Sequence, residues 1–354
     1  MAELNKDSKV KLFTHTDLDG AGCAVVARVA FYNVDVVYCD YHNIDEKVRD
    51  FIESDDHKNY SHVFITDISV SKEVASLIED RKEEVEFKLL DHHPTAQSLN
   101  SYPWAFVSPA STRGKNSGTN MLFEYLFMSE VIDSRLIYYD ALTVFVEKVR
   151  RYDSWEWKEL YDDNEASSLN DLFWLYGIDK FVDAYAKRIL NLEICIVSNG
   201  SWIKMFNKTD LAVLDVDYSK KVKYINRKDK QLISGKLVGK NVGFVFAEQY
   251  ISELGNELSD RHPELDFIVI IDLGNKRVSY RTVKDNIDLG KDVASNFGGG
   301  GHPKASGSQI EIDSVKMVIP MLFGSKKLIN RLVSVVNRKG FLGKVVKILD
   351  RFGK

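Results

Sequence analysis

Residues 87–97 read FKLLDHHPTAQ. Phe87 to Leu90 form an apolar run with the character of a buried strand, and the run stops at Asp91, His92 and His93. A carboxylate and two imidazoles at a strand tip are the residue types of a metal or acid–base site. Successive side chains of an extended chain point to opposite sides, so His92 and His93 are not a packed core pair.

The same ending recurs upstream. VKLFTH (10–15) runs into His15, Asp17 and Asp19, and HVFITDIS (62–69) carries Asp67. Between these strands, and after VDVVYCD (34–40), stand segments with helical spacing at 20–32, 45–54 and 72–83, and EVEFKLL (84–90) closes the series. The order βαβαβαβ predicts an α/β fold with a parallel sheet covered by helices on both faces. Ligands of such sheets bind beyond the carboxyl ends of the strands, where all three clusters fall. A fourth acid, Asp153, ends the helical stretch 134–155 in RRYDSW.

Singly, these acids have plain explanations: Asp17, Asp19 and Asp67 sit where a helix N-cap is expected, and Asp153 could be a surface residue. Together the three strand ends put up to four carboxylates and three imidazoles around one crevice. Like charges that close force some carboxyls neutral unless a cation joins them. Two divalent ions answer the problem. Oxygen and imidazole donors suit Mn2+ best, with Mg2+ or Co2+ as alternatives and Zn2+ also able to bind. Two metals about 3.5–4 Å apart, sharing a carboxylate and a hydroxide, are an arrangement that hydrolyses phosphoesters.

Beyond residue 101 the chain turns helical, at 118–128 and 134–155, with a polar break at 161–171 and a mostly helical stretch at 172–235. A second βα pattern follows: strands near 235–247, a helix at 250–262, strands at 265–273 and 276–283, a helix at 288–298 and a strand at 304–312. The expected organisation is a catalytic metal-binding domain at 1–190, a helical linker at 191–230, a smaller α/β substrate-binding domain at 231–320 and a basic amphipathic tail at 321–354.

Composition narrows the class. The 354 residues carry 44% hydrophobic and 28% charged residues, as in ordinary globular proteins. Three scattered cysteines, Cys23, Cys39 and Cys195, supply neither a disulfide framework nor a thiolate metal site, which fits a reducing compartment. No apolar leader opens the chain and no run is long enough to span a bilayer, so a cytoplasmic protein without membrane contact is expected. The net charge of −4 hides an asymmetry: residues 325–354 hold nine Lys or Arg and one Asp. That tail reads as an amphipathic helix with a solvated basic face, ahead of an RNA contact or an acidic-partner surface. A homodimer is compatible with the sequence.

HTDLDG, the TD of Asp67, DHH and the downstream Asp153 resemble the four motifs of the DHH phosphoesterase superfamily. FGGGGHPKASG (297–307) resembles the GGGHxxASG motif of its associated domain, found in nanoRNases and NrnB-like oligoribonucleases, cyclic-dinucleotide phosphodiesterases and RecJ exonucleases. The resemblance spans about residues 10–315. The first motif is HxDxD here, where many relatives have HxxxDxD.

The resemblance implies one metal held by His15, Asp17 and Asp67, and a second held by Asp19, Asp67, His92 and Asp153, with Asp67 bridging. It implies that His93 meets the scissile phosphate and Asp91 orients the histidines. It places Arg281, Gly299, Gly300, Gly301, His302 and Ser306 at the substrate. The glycine run has its own logic: successive N–H groups can cradle a phosphate, although glycine also ends helices. STRGKNSGT (111–119) adds Arg113 and Lys115 as a phosphate clamp or an exposed basic loop.

The expected function is hydrolysis of short oligoribonucleotides or linear dinucleotides to mononucleotides by a two-metal-activated hydroxide, the substrate lying between the metal site and the glycine loop. The alternatives are a cyclic-dinucleotide phosphodiesterase, a RecJ-like single-strand DNA exonuclease, and a nucleotide-sequestering binding protein without activity.

Overall fold

The computed structural model describes residues 3–197 and 202–310. The expected tail at 321–354, and residues 311–320 of the expected second domain, lie outside the described residues. The chain divides into two compact units, 1–215 and 216–354.

The first unit opens with β1 (Lys9–His15), α1 (Leu18–Ala30), β2 (Asn33–Cys39), α2 (Ile44–Glu53), β3 (His62–Thr66), α3 (Lys72–Arg81), β4 (Glu86–Asp91) and β5 (Ala105–Val107). The five strands form one sheet in the order β2-β1-β3-β4-β5, and every pairing is parallel. β1 and β3 are apolar because both faces are covered. Leu12 and Phe64 join one core, with α1 and the later helices, whereas Phe13 and Ile65 join the other, with α2 and α3.

α1 is buried except at Arg28. Its small residues let neighbours approach: a Cβ on Gly22 would lie 2.3 Å from Thr119 Oγ1. A two-residue hairpin follows, β6 (Ala110–Ser111) and β7 (Gly114–Lys115), and then α4 (Gly118–Met128), α5 (Tyr139–Asp153), α6 (Glu156–Glu159), α7 (Asn164–Tyr176) and α8 (Ile178–Leu190). α4, α5, α7 and α8 bury their apolar stripes, from Leu122 to Ile189, in the α1 core.

Three expectations change here. The polar stretch 161–171 is largely helix: Asp163 accepts from the Ala166 N–H, so the Asp/Asn run is the N-cap of α7. The stretch 172–235 is not continuously helical. β8 (Cys195–Val197) and β9 (Trp202–Lys204) pair as an antiparallel hairpin before α9 (Lys208–Asp229), as β-branched and aromatic residues favour. Residues 288–298 form a π turn at Leu289–Val293 and a 3-10 turn at Ala294–Phe297, ended by Gly298 at φ 67. Asn296 donates to the Asp292 carbonyl there, taking an acceptor that a longer helix would use.

The second unit holds β10 (Ile233–Leu237), β11 (Lys240–Phe246), α10 (Ile251–Arg261), β12 (Phe267–Asp272), β13 (Arg277–Arg281), β14 (Gly300–Gly301) and β15 (Ala305–Gln309). They form a mixed sheet in the order β10-β11-β12-β13-β15-β14, with β11 and β12 parallel and the other pairs antiparallel. α10 and Ile225 of α9 cover one face; Ile287, Leu289 and Val293 cover the other.

Candidate metal centre

The strand order reverses between β1 and β3, and a crevice opens at such a switch point beyond the strand ends. The structure brings seven of the expected residues together there, with Asp91 behind them. His15 Nδ1 lies 2.8 Å from Asp17 Oδ2 and 3.8 Å from Asp67 Oδ2. His92 Nε2 lies 3.1 Å from Asp67 Oδ1, 3.5 Å from Asp153 Oδ2 and 3.7 Å from Asp19 Oδ2. The two oxygens of Asp67 therefore face different histidines. His92 and His93 have ring centroids 4.3 Å apart.

Three of the carboxylates, Asp17, Asp19 and Asp91, are fixed by backbone N–H groups. Asp17 N-caps α1, its Oδ1 accepting from the Asp19 and Gly20 N–H groups and leaving Oδ2 for His15. Asp19 is buried and accepts from the Gly118 and Thr119 N–H groups at the start of α4, a position that stabilises negative charge. Asp91 Oδ1 accepts from the N–H groups of His92 and His93 and, at 2.7 Å, from His93 Nδ1, while Ser69 donates to Oδ2. His93 Nε2 is thereby turned toward the Tyr41 hydroxyl, 3.3 Å away. Asp67 itself is left-handed at φ 58, and Gly118 makes room for it: a Cβ at 118 would lie 2.4 Å from Asp67 Cβ.

The electrostatics call for a cation. Burial and the charges of Asp19, Asp17 and Asp153 push the Asp67 carboxyl well above the ordinary carboxylate range. Burial and the charges of Asp19 and Asp17 do the same to Asp153. The hydrogen bond to Asp17 raises His15 against its burial, and burial lowers His92. Asp17 and Asp91 are pushed up by burial, but His15 and His93 outweigh it and hold both below the usual range. The bond to Asp91 raises His93.

Asp67 Oδ2 is buried with no hydrogen-bond partner, an expensive state for a carboxylate oxygen unless an ion meets it. Ligand atoms of His15, Asp17 and Asp67, and of Asp19, His92 and Asp153, each converge within 4.8 Å. All are hard oxygen or imidazole donors, so the residues present fit a divalent metal pair. A further cluster of Asp55, His57 and Glu84 differs, because Lys58 and Arg81 already neutralise its carboxylates.

The expected substrate residues are divided between the two units. Arg113 is exposed near Glu124, 3.6 Å away. Lys115 Nζ donates to the Ser154 carbonyl at 3.1 Å and so ties its loop to the residue after Asp153. In the second unit, the Arg281 guanidinium is half-buried and donates to the Tyr280 and Ser306 carbonyls. Ser306 is buried with its hydroxyl unpaired. Gly299 and Gly301 back onto β15, where a Cβ would lie 2.0 Å from the Gly307 carbonyl and 2.7 Å from that of Ala305. Gly300 faces open space, and His302 is exposed beside it.

Sequence reasoning missed Tyr41. Its ring is 61% exposed and lies 5.2 Å from the His15 ring and 6.2 Å from that of His93. The sequence signal is its position: β2 pairs with β1 in register His15↔Cys39, so the residues after Cys39 reach the same rim.

No protein-family model matches the chain. It is 37% identical over 320 residues to oligoribonuclease NrnB of Bacillus subtilis, covering 88% of this chain and 75% of that one. Among solved structures, the pGpG-specific phosphodiesterase PggH from Vibrio cholerae superposes with a TM-score of 0.50 at 15% identity, over 89% of this chain and 97% of that one. Exonuclease RecJ bound to manganese gives a TM-score of 0.49 at 14% identity, over 89% of each chain. The first of these structures shares the fold. With this identity and coverage to NrnB, and with all four DHH motifs at one crevice, the chain belongs to the NrnB oligoribonuclease family of DHH phosphoesterases.

Proposed function

We propose that the chain is a metal-dependent phosphodiesterase that hydrolyses short oligoribonucleotides and linear dinucleotides to mononucleotides. The carrying observation is Asp67: a buried carboxylate with one oxygen toward His92, the other toward His15, and no partner for the second. Family membership supplies the substrate class.

His15, Asp17 and Asp67 would hold one metal, and Asp19, Asp67, His92 and Asp153 the other; Mn2+ is our choice, with Mg2+ and Co2+ as alternatives. Bound there, the pair supplies Lewis-acid charge to the phosphate and makes water a nucleophile near neutral pH. His93 acts from the side. Asp91 fixes its Nδ1 proton and favours the imidazolium, so Nε2–H can donate to a phosphate oxygen as negative charge grows on it. Hydrolysis adds water across one P–O ester bond, leaving a hydroxyl on one fragment and a phosphomonoester on the other. In the second unit, the open Gly300 backbone and His302 are our candidates for binding substrate phosphate. Arg281 and Ser306 shape that strand pair, and Arg113 and Lys115 the rim of the first unit.

The test is a product time course on short RNA and DNA ladders, with cyclic dinucleotides alongside, in Mn2+ and in EDTA. Mononucleotides should accumulate from RNA and linear dinucleotides only with metal, and not with Asp67→Ala. Equal turnover by Asp67→Ala would sink the assignment.

A further inference from the structure

A second ligand site lies within the second unit. β11 and β12 are the parallel pair of that sheet, joined through α10, and a cavity of about 390 Å³ opens beyond their carboxyl ends. Both the position and the size suit a small-molecule site. Its floor is apolar, made by Ile271, Leu273 and Phe246. Phe246 stands out: the residues on either side, Val245 and Ala247, are 1% and 3% exposed, while Phe246 keeps 51%. One wall is Tyr224 of α9, whose hydroxyl accepts from the Glu248 N–H at 3.3 Å and so ties the helix to the floor.

Two cations, Arg227 and Lys228, line the same cavity. Arg227 and Lys228 both reach over the Tyr224 ring, at 5.3 and 5.4 Å from its centroid. Neither has a carboxylate partner among the described residues. Two neighbouring cations without a counter-charge repel, and an anion between them removes the repulsion. A flat aromatic floor beside paired cations is complementary to a planar ring carrying a phosphate. Glu248 and Gln249 line the remaining side with an acceptor and an amide, groups that read the edge of a nucleobase.

This cavity is distinct from the glycine hairpin. The hairpin residue Ala305 aligns with Arg281, and Arg281 with Ile268 at the start of β12. Phe246 aligns with Ile271 near the end of β12. The glycine hairpin pairs on β15, which stands three strands from β11 in the sheet, so the two features are separated across it.

We propose that this cavity binds a nucleoside monophosphate, with the base on Phe246 and the phosphate on Arg227 and Lys228. The inference rests on the second unit alone and needs neither metal nor turnover.

The test is calorimetric titration of the full-length protein with AMP in EDTA, with adenosine and inorganic phosphate as separate probes. Saturable binding of AMP is expected, with each half-ligand weaker by about tenfold or more. Phe246→Ser and Arg227→Glu should each weaken AMP binding by roughly tenfold, through lost stacking and lost charge pairing. Arg227 is exposed on a helix, so that variant keeps the test valid if Phe246→Ser fails to fold. Asp67→Ala should bind AMP as the wild type does. The proposal is overturned by absence of saturable binding, by full binding in Arg227→Glu, or by loss of binding in Asp67→Ala. Because Asp67→Ala is silent here and abolishes hydrolysis there, failure of one reading is distinguishable from failure of the other.

Discussion

Replacing Gly118 by alanine tests how the metal centre is held. A Cβ at 118 would lie 2.4 Å from Asp67 Cβ and 2.9 Å from both its Cα and its N. Carbon atoms in contact prefer about 3.5–4.0 Å, so the first distance falls short by about 1 Å. Neither side yields easily. Gly118 is the first residue of α4, with its N–H on Asp19, and Asp67 is already left-handed. Overpacking of this kind costs about 1–3 kcal/mol of stability. The displacement falls on Asp67 or on the N–H that holds Asp19, and a misplacement of about 1 Å can cost on the order of a hundredfold in rate. Gly118→Ala should therefore fold, unfold at lower denaturant, and lose about two orders of magnitude in kcat/KM on a dinucleotide, with weaker Mn2+ binding by calorimetry. Gly300→Ala, where a Cβ meets nothing within 4 Å, is the control and should keep wild-type stability. Wild-type rate and metal affinity in Gly118→Ala would refute the reasoning.

Asp153→Asn removes one of the crowded charges. In EDTA its urea midpoint should equal or exceed that of the wild type, whereas Mn2+ should stabilise the wild type more, because binding adds stability through linkage; a variant weaker in EDTA and equally stabilised by Mn2+ would contradict this. Tyr41→Phe deletes the hydroxyl that meets His93. One hydrogen bond is worth about 0.5–1.5 kcal/mol, so kcat/KM should fall roughly two- to twelvefold, and an unchanged rate would remove Tyr41 from the site. His262 bonds Asp229 at 2.7 Å, and that bond raises its imidazole above the ordinary value. Its stabilisation is thus full below the unfolded imidazole value, about 6.5, and is lost as pH rises through the raised folded value. His262→Ala should cost more stability at mildly acidic than at alkaline pH, as measured by urea unfolding; an equal cost at both would exclude the pair.

The sequence made the centre legible because each ligand type follows its own apolar strand, and parallel strands bring their carboxyl ends to one edge. His15, Asp67 and His92 needed only that geometry. Tyr41 did not show, since one aromatic after β2 looks like any surface residue until the register with β1 is known. Gly118 did not show because its partner, Asp67, is distant in sequence and Cβ clearance has no local signature. The glycine run was ambiguous for a related reason. Gly298 ends a turn at φ 67, Gly299 and Gly301 clear the β15 backbone, and Gly300 faces open space without a left-handed φ, so one string of letters serves three different needs. The hairpin β8–β9 was hidden inside a stretch otherwise helical in pattern.

The contact between Asp19 and the start of α4 joins residues 99 and 100 positions apart, and Asp153 comes later still. On the ribosome, the strand-end ligands of the first unit emerge well before the helix that fixes Asp19 and the acid that completes the set. Domains mature as units during synthesis. A nascent chain therefore carries an unfinished coordination sphere until Asp153 has emerged, and tight metal capture follows the docking of α4 on Asp19.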